Sequence, residues 1–153
     1  MIQGEPITIL HVEDDPAHAE IVRRHLKDFC VVNRIIHVGD GQAALDYLFR
    51  QGAYADSAAV PRPHLLLLDL RLPKVDGLEV LRRIKGDAEL KKMPVVVLTT
   101  SAVESDVVNA YTRGAGSFLV KPVDFDKFQG LMKAFGSYWL ASNRFPDRGD
   151  CTT

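Results

Sequence analysis

The sequence of 153 residues lacks features that mark several classes of protein. No apolar run reaches the roughly 18 residues that could span a membrane. The first six residues contain no basic segment followed by an apolar stretch, so we expect no secretory signal. The formal net charge is only −1, which gives no basic excess for binding nucleic acid. These absences predict a soluble protein with neither a membrane nor a nucleic acid partner.

Cysteine pairs and glycine-rich loops are absent as well. Cys30 and Cys151 form no C-x-x-C spacing and no disulfide framework, which favours a reducing compartment, and we expect the cytoplasm. No G-x-G-x-x-G or Walker glycine pattern offers a nucleotide site. The length and the 46% hydrophobic content fit one domain, residues 1–142, followed by a short tail, residues 143–153.

Short apolar runs alternate with segments of helical periodicity. The runs predict strands at 7–12, 31–38, 65–69, 94–99 and 117–120. The periodic segments predict helices near 16–29, 41–49, 78–85, 103–113 and 124–140. Apolar strands between helices are typical of parallel sheets that are covered on both faces. We therefore expect an α/β fold with a doubly wound, five-stranded parallel sheet in three layers.

One connection in this pattern is unusually long. Residues 52–63 separate the second predicted helix from the third strand, whereas connections in α/β units usually have roughly two to six residues. We expect an insertion at this position.

Polar side chains follow four of the predicted strands. They are Glu13, Asp14, Asp15, Asp69, Thr99 and Lys121. Ligands of open α/β sheets bind outside the carboxyl ends of the strands, so we expect these groups to converge on one site. Carboxylates that lie a few ångströms apart either raise a pKa or recruit a cation, and an all-oxygen ligand set suits Mg²⁺. Lys121 and the Thr99 hydroxyl would remain to bind phosphoryl oxygens.

Four motifs carry a resemblance to a known family. They are Val12–Asp15, Leu68–Gly77, Leu98–Ser101 and Phe118–Pro122. In this order, and each at a strand end, they resemble the receiver domain of two-component response regulators over roughly residues 7–140. The resemblance implies the flavodoxin-like strand order 2-1-3-4-5.

The resemblance also implies a role for each matched residue. Asp69 would accept a phosphoryl group from a sensor histidine kinase and would bind Mg²⁺ together with Asp14 and the backbone carbonyl of Arg71. Glu13 would reach the metal through a water molecule. The switch residues and a cis-proline would be Thr99, Lys121, Phe118 and Pro122. The protein would be a signalling domain that catalyses only its own phosphorylation and dephosphorylation.

The long connection and the aromatic end of the chain resemble a narrower group, the stand-alone regulators paired with phytochrome-type histidine kinases. Such a kinase is therefore the implied partner. A cluster near the end of the chain predicts a homodimer through Tyr138, Trp139, Leu140 and Phe145. For Trp139 and Phe145, packing within one chain is an equal alternative.

Two other classes of protein fit part of the pattern. An aspartyl phosphatase or phosphotransferase of the haloacid dehalogenase type would need an Asp two residues after the nucleophile, where this chain has Arg71. A receiver-like domain that is never phosphorylated is disfavoured by the presence of Asp14, Asp69, Thr99 and Lys121 together.

The histidines are predicted to lie outside the site. His18 and His25, on the first helix, are expected to face solvent because no carboxylate and histidine cluster accompanies them. His11 and His64 border neighbouring strands, and we interpret them as packed, neutral side chains.

Overall fold

The computed structural model describes residues 7–27, 32–56, 60–100, 104–122 and 124–138. Its strands are β1 (Ile7–Val12), β2 (Val32–Val38), β3 (Leu65–Leu68), β4 (Val95–Thr99) and β5 (Ser117–Val120). All neighbouring strands pair in parallel, and their order in the sheet is β2-β1-β3-β4-β5. The predicted doubly wound sheet and its strand order are confirmed.

Within the described residues, one α-helix follows each of the five strands. The helices are α1 (Pro16–Leu26), α2 (Gly41–Leu48), α3 (Gly77–Lys85), α4 (Glu104–Thr112) and α5 (Phe125–Phe135). At the starts of four helices, an aspartate side chain accepts a hydrogen bond from a free backbone N–H group. These residues are Asp15, Asp40, Asp76 and Asp124. Pro16 opens α1 as expected, because the first helical position needs no N–H donor.

The core has one half on each face of the sheet. Side chains of successive strand residues point to opposite faces. In β1, Ile7 and Ile9 therefore join the half that packs against α1 and α5, whereas Leu10 and Val12 join the half under α2, α3 and α4. Burial on both faces explains why the central strands β1, β3 and β4 read as mainly apolar runs.

The long connection between α2 and β3 is built onto the core. A 3-10 turn at Gly52–Tyr54 opens it, and the Tyr54 ring packs edge-on against Tyr47 with centroids 5.1 Å apart. The Tyr47 hydroxyl donates to the Pro61 carbonyl at 2.7 Å, and Val60 is buried. Residues 57–59 of the predicted insertion lie outside the described residues.

Gly77 allows α3 to begin against the end of β3. A Cβ atom at this position would lie 2.4 Å from the Asp69 carbonyl oxygen and 2.6 Å from the Leu70 Cα atom. Both neighbours are backbone atoms that cannot rotate away. Only glycine fits here, and its backbone N–H donates to the Leu70 carbonyl at 2.9 Å.

One prediction about the last quarter of the chain is wrong, and another extends past the described residues. The α-helical part of α5 ends at Phe135 and a π-helical turn continues it over 136–138, while the last two positions of the predicted helix, 139 and 140, lie outside the described residues. The described residues contain no cis peptide bond, so the bond between Lys121 and Pro122 is trans. The expected cis bond came from the resemblance alone, and the trans form of an X–Pro bond is favoured by about 0.5–1 kcal/mol unless the surrounding structure opposes it.

Within the same residues, none of the helices has the length and apolar content needed to cross a membrane.

Candidate functional site

Three carboxylates meet at the carboxyl edge of the sheet. Glu13, Asp14 and Asp69 each place one carboxylate oxygen within 4.8 Å of the other two. Glu13 and Asp69 are only 1% and 5% exposed, while Asp14 faces solvent. The predicted convergence of β1 and β3 residues on one site is thus confirmed in its geometry.

The backbone of the sheet fixes the two buried acids. Asp69 donates its N–H to the Val12 carbonyl at 3.1 Å, and Glu13 donates to the Val38 carbonyl at 3.0 Å. Both bonds continue the strand ladders by one residue. Alternation along the strands then points both side chains to the face that carries α1 and α5.

Lys121 lies between these acids and is almost fully buried. Its ammonium group donates to the Glu13 carboxylate, to Asp69 Oδ2 at 3.2 Å and to His18 Nδ1 at 3.2 Å. The Lys121 backbone N–H donates to the Thr99 carbonyl at 2.8 Å, which fixes the end of β5 against β4. A single buried cation therefore contacts the residues that directly follow β1 and β3 and one residue of α1.

Burial and charge oppose each other at Glu13. Desolvation raises the pKa of the Glu13 carboxyl to about 7, although hydrogen bonding and attraction from Lys121 lower it. Burial is the larger effect, so Glu13 gains a proton far more readily than an exposed glutamate does. A second cation near Glu13 would favour its charged form.

His18 belongs to the site, contrary to the expectation that it faces solvent. Its side chain is 31% exposed, accepts from Lys121 and lies 5.9 Å from the Phe128 ring, measured between centroids. The sequence did contain a signal for this placement, because His18 lies in the first turn of α1, directly after the acid cluster. His11 is buried below Glu13 in β1, and burial lowers its pKa to about 3, so the prediction of a neutral side chain is confirmed.

The predicted switch residues surround the same edge of the sheet. Thr99 is fully buried at the end of β4, and its backbone pairs with Val120. Phe118 is half-buried and packs against the core half under α2, α3 and α4. Thr99 and Phe118 therefore lie toward the opposite face of the sheet from Lys121.

The Arg71 side chain points away from the acid cluster, toward α4. Its backbone N–H donates to Asp69 Oδ1 at 3.1 Å, while its guanidinium group forms an ion pair with Asp106 of α4. The sequence contains no local signal for this pair, because the two residues are 35 positions apart.

The acid cluster suits a divalent cation. Its donor atoms are all carboxylate oxygens, which hard cations such as Mg²⁺ and Ca²⁺ prefer. One ammonium group cannot balance three carboxylates, and this leaves negative charge for a cation to neutralise. The residues present therefore fit the metal that the acidic motif predicted.

The predicted dimer residues are mostly outside the described residues. Only Tyr138 is described, and it is 58% exposed beyond the end of α5. Trp139, Leu140 and Phe145 are not among the described positions.

Comparison with known proteins gives consistent matches over most of the chain. A family model for the response regulator receiver domain matches residues 9–133. The probable methanogenesis regulatory protein FilR2 of Methanothrix harundinacea is 42% identical over 142 residues, which are 93% of this chain and 89% of FilR2. Response regulator Rcp1 of Synechocystis sp. is 41% identical over 141 residues, which are 92% of this chain and 94% of Rcp1.

Two solved structures are similar in fold and in sequence. The Mn²⁺-bound form of Rcp1 matches with a TM-score of 0.87 and 40% identity, over 92% of this chain and 99% of that one. The phosphorylated cyanobacterial phytochrome response regulator RcpA matches with a TM-score of 0.86 and 36% identity, over the same shares of the two chains.

Proposed function

The chain belongs to the response regulator receiver domain family, and we propose that it accepts a phosphoryl group from a histidine kinase on Asp69. The observation that carries this proposal is the contact between Asp69 Oδ2 and Lys121 Nζ at 3.2 Å inside an acidic cluster. The buried Asp69 carboxylate can act as a nucleophile. The phosphoryl group that it would receive carries negative charge, and the Lys121 ammonium group is already in place to bind that charge. The similarity to phosphorylated RcpA supports the same role.

We propose Mg²⁺ as the cation of the acid cluster. Asp14 and Asp69, with the backbone carbonyl of Arg71, would hold it, and Glu13 would contact it through water. When bound, the ion neutralises charge on the phosphoryl oxygens and orients the group for transfer. The structure of Rcp1 with bound Mn²⁺ supports a divalent ion in this family.

In the transfer step, one Asp69 carboxylate oxygen attacks the phosphorus atom of the kinase phosphohistidine. An O–P bond forms and the P–N bond breaks, and the imidazole leaves with the electron pair. Lys121 is already within hydrogen-bond distance of Asp69 and can donate to a phosphoryl oxygen as the negative charge arrives. Such a contact would compete with the Glu13 bond, so phosphorylation would redistribute Lys121 within the site.

We propose that Thr99 and Phe118 transmit the effect of Asp69 phosphorylation to the rest of the domain. Thr99 lies at the end of β4, and its carbonyl is tied to the Lys121 backbone. Phe118 is half-buried on β5 and packs against the core, and we propose that its ring moves inward on phosphorylation. Movement of the Thr99 hydroxyl toward the phosphoryl group would open space for the Phe118 ring.

Acetyl phosphate with Mg²⁺ tests the acceptor directly. Intact-mass spectrometry should show one added phosphoryl group that is stable in acid and labile in base, and Asp69→Asn should show none. Asp76→Asn is a suitable control, because Asp76 is an exposed helix cap near Asp69 in the chain. Label that persists in Asp69→Asn would place the acceptor elsewhere.

For the donor, we propose a phytochrome-type histidine kinase in the cytoplasm. The similarity to the phytochrome response regulator RcpA supports this partner. FilR2, a probable methanogenesis regulatory protein at a comparable identity, gives no such support. A phytochrome-type kinase carrying labelled phosphohistidine should transfer it to this protein faster than an unrelated histidine kinase does, and equal rates would remove the phytochrome assignment.

We also propose a homodimer that uses the end of α5 and the tail. Tyr138 supports it, because this large aromatic side chain is exposed and directly precedes Trp139 and Leu140 in the sequence, with Phe145 seven positions further on. A symmetric contact would use each of these side chains twice.

A further inference from the structure

An ion pair joins the loop after Asp69 to helix α4. Arg71 Nη2 donates to Asp106 Oδ2, and the Asp106 side chain is 10% exposed whereas that of Arg71 is 57% exposed. The pair therefore consists of a buried carboxylate on α4 and a guanidinium group that reaches it from the surface.

The location of Asp106 makes α4 sensitive to this contact. Ala110, four residues further along α4, is fully buried against the sheet, and residues four apart share one face of a helix. Asp106 therefore lies on the side of α4 that faces the protein. A buried carboxylate that loses a cationic partner is destabilised, so the ion pair with Arg71 helps to hold α4 in its present position.

Arg71 also contacts the proposed phosphorylation site. It lies two residues after Asp69 in the chain, and its backbone N–H donates to Asp69 Oδ1 at 3.1 Å. A phosphoryl group on Asp69 would add about 1.5 to 2 negative charges and three acceptor oxygens. Arginine binds such oxygens in a bidentate manner, so the phosphoryl group would compete with Asp106 for the guanidinium group.

We propose that Arg71 is a positioning residue shared between two partners. In the unmodified protein it holds α4 through Asp106, and after phosphorylation it turns toward the phosphoryl group and leaves Asp106 with less compensating charge. Helix α4 then loosens or shifts. This inference rests on the proposed phosphorylation of Asp69, and it adds a charge-driven route to α4 beside the route through Thr99 and Phe118.

The first half of the proposal concerns the unmodified protein and needs no phosphorylation. A double-mutant cycle with Arg71→Gln and Asp106→Asn, measured by urea unfolding, should give a coupling of at least about fivefold in the unfolding equilibrium constant. The exposed pair of Glu79 and Arg82 on α3 is the matched control, and its cycle should give about twofold or less. Equal coupling in the two cycles would overturn the role of Arg71 in holding α4.

The second half is tested by hydrogen exchange of the α4 amides after treatment with acetyl phosphate and Mg²⁺. Exchange should rise in the wild-type protein. In Arg71→Gln it should already be high and should change little on phosphorylation, whereas Arg71→Lys, which keeps the charge, should restore part of the protection. Asp69→Asn should show no response to acetyl phosphate.

The outcomes separate this inference from the proposed function. If Asp69 is phosphorylated but α4 exchange stays constant, or if Arg71→Gln responds as the wild type does, the sharing of Arg71 is wrong and the acceptor role stands. If Asp69 takes no phosphoryl group while the double-mutant coupling is present, the proposed function and the second half of the inference fail together.

Discussion

Replacing Lys121 with methionine should reveal how much the site depends on one buried cation. Lys121→Met keeps a hydrocarbon chain of similar length and removes only the charge and the hydrogen bonds. Glu13 and Asp69 would then lie together, 1% and 5% exposed, without their ammonium partner. Removing one member of a buried ion pair typically costs about 3 to 5 kcal/mol, and we expect a loss of that size at pH 8.

The loss should depend on pH in a defined direction. Burial raises the pKa of Glu13 from its ordinary value of 4.5 to about 7, and without Lys121 it would rise further. A carboxyl group whose pKa is higher in the folded protein than in the unfolded protein stabilises the fold at a pH below its unfolded pKa. This stabilisation is lost as the pH rises through its folded pKa. With Glu13 more fully protonated in the folded variant, the free energy of unfolding should fall from pH 6 to pH 8 by up to roughly 3 kcal/mol, which is the limit for one proton over two pH units.

The wild-type protein should lose less over the same range, because Lys121 allows Glu13 to ionise in the folded state. Urea unfolding in the presence of a chelator, at pH 6, 7 and 8, measures both slopes without bound metal. Lys133→Met, at an exposed position of α5, should change stability by no more than about 0.5 kcal/mol. Equal pH slopes for Lys121→Met and the wild type, or a loss below about 1 kcal/mol at pH 8, would refute this account of the buried pair.

Three further predictions concern the metal, the loop after Asp69 and the tail. Mg²⁺ at tenfold its dissociation constant should stabilise the protein by about 1.4 kcal/mol, or about 3 to 6 °C in the melting temperature, and Asp14→Ala should remove most of this shift and Glu13→Ala less of it. An unchanged melting temperature with no calorimetric binding would eliminate the metal site. Gly77→Ala should destabilise by about 1 to 3 kcal/mol because its Cβ would meet backbone atoms at 2.4 and 2.6 Å, whereas Gly130→Ala, with no heavy atom within 4 Å of the new Cβ, should stabilise by about 0.5 to 1 kcal/mol. Equal melting temperatures for these two variants would contradict the close contact at Gly77. Light scattering should find a dimer of the full chain at tens of micromolar and a monomer when the chain ends at Gly136, and a shortened chain that still dimerises would exclude the tail.

Much of the fold could be predicted because the central strands are buried on both faces. Such strands are mainly apolar, so Ile7–Val12, in which only Thr8 and His11 are polar, and Leu65–Leu68 stand out in the sequence. The change from α-helix to π-helical turn after Phe135 could not be predicted in this way. The aromatic residues that follow Phe135 continue the apolar pattern, but Gly136 takes the C-cap position and a π-helical turn replaces the α-helix. Apolar spacing alone does not distinguish these two turns.

The site was predictable where it depends on backbone topology. Parallel strands bring their carboxyl ends to one edge, so Glu13, Asp14 and Asp69 had to meet there. The partners chosen by each side chain were not predictable. His18 was expected to face solvent, yet it accepts from Lys121, because the first turn of α1 starts at the same edge as the acids.

Charge balance explains which groups the Lys121 ammonium contacts. From sequence, Lys121 was assigned to phosphoryl oxygens, but the structure places its ammonium group on Glu13, Asp69 and His18. In a buried site with several carboxylates, an unpaired ammonium group would be as costly as an unpaired acid, so the lysine takes the nearest negative charge. The preference of Lys121 for Glu13 is therefore conditional on the charges around it. Any change that neutralises Glu13 or adds negative charge at Asp69 should draw the ammonium group toward Asp69, which is the direction that phosphoryl acceptance requires.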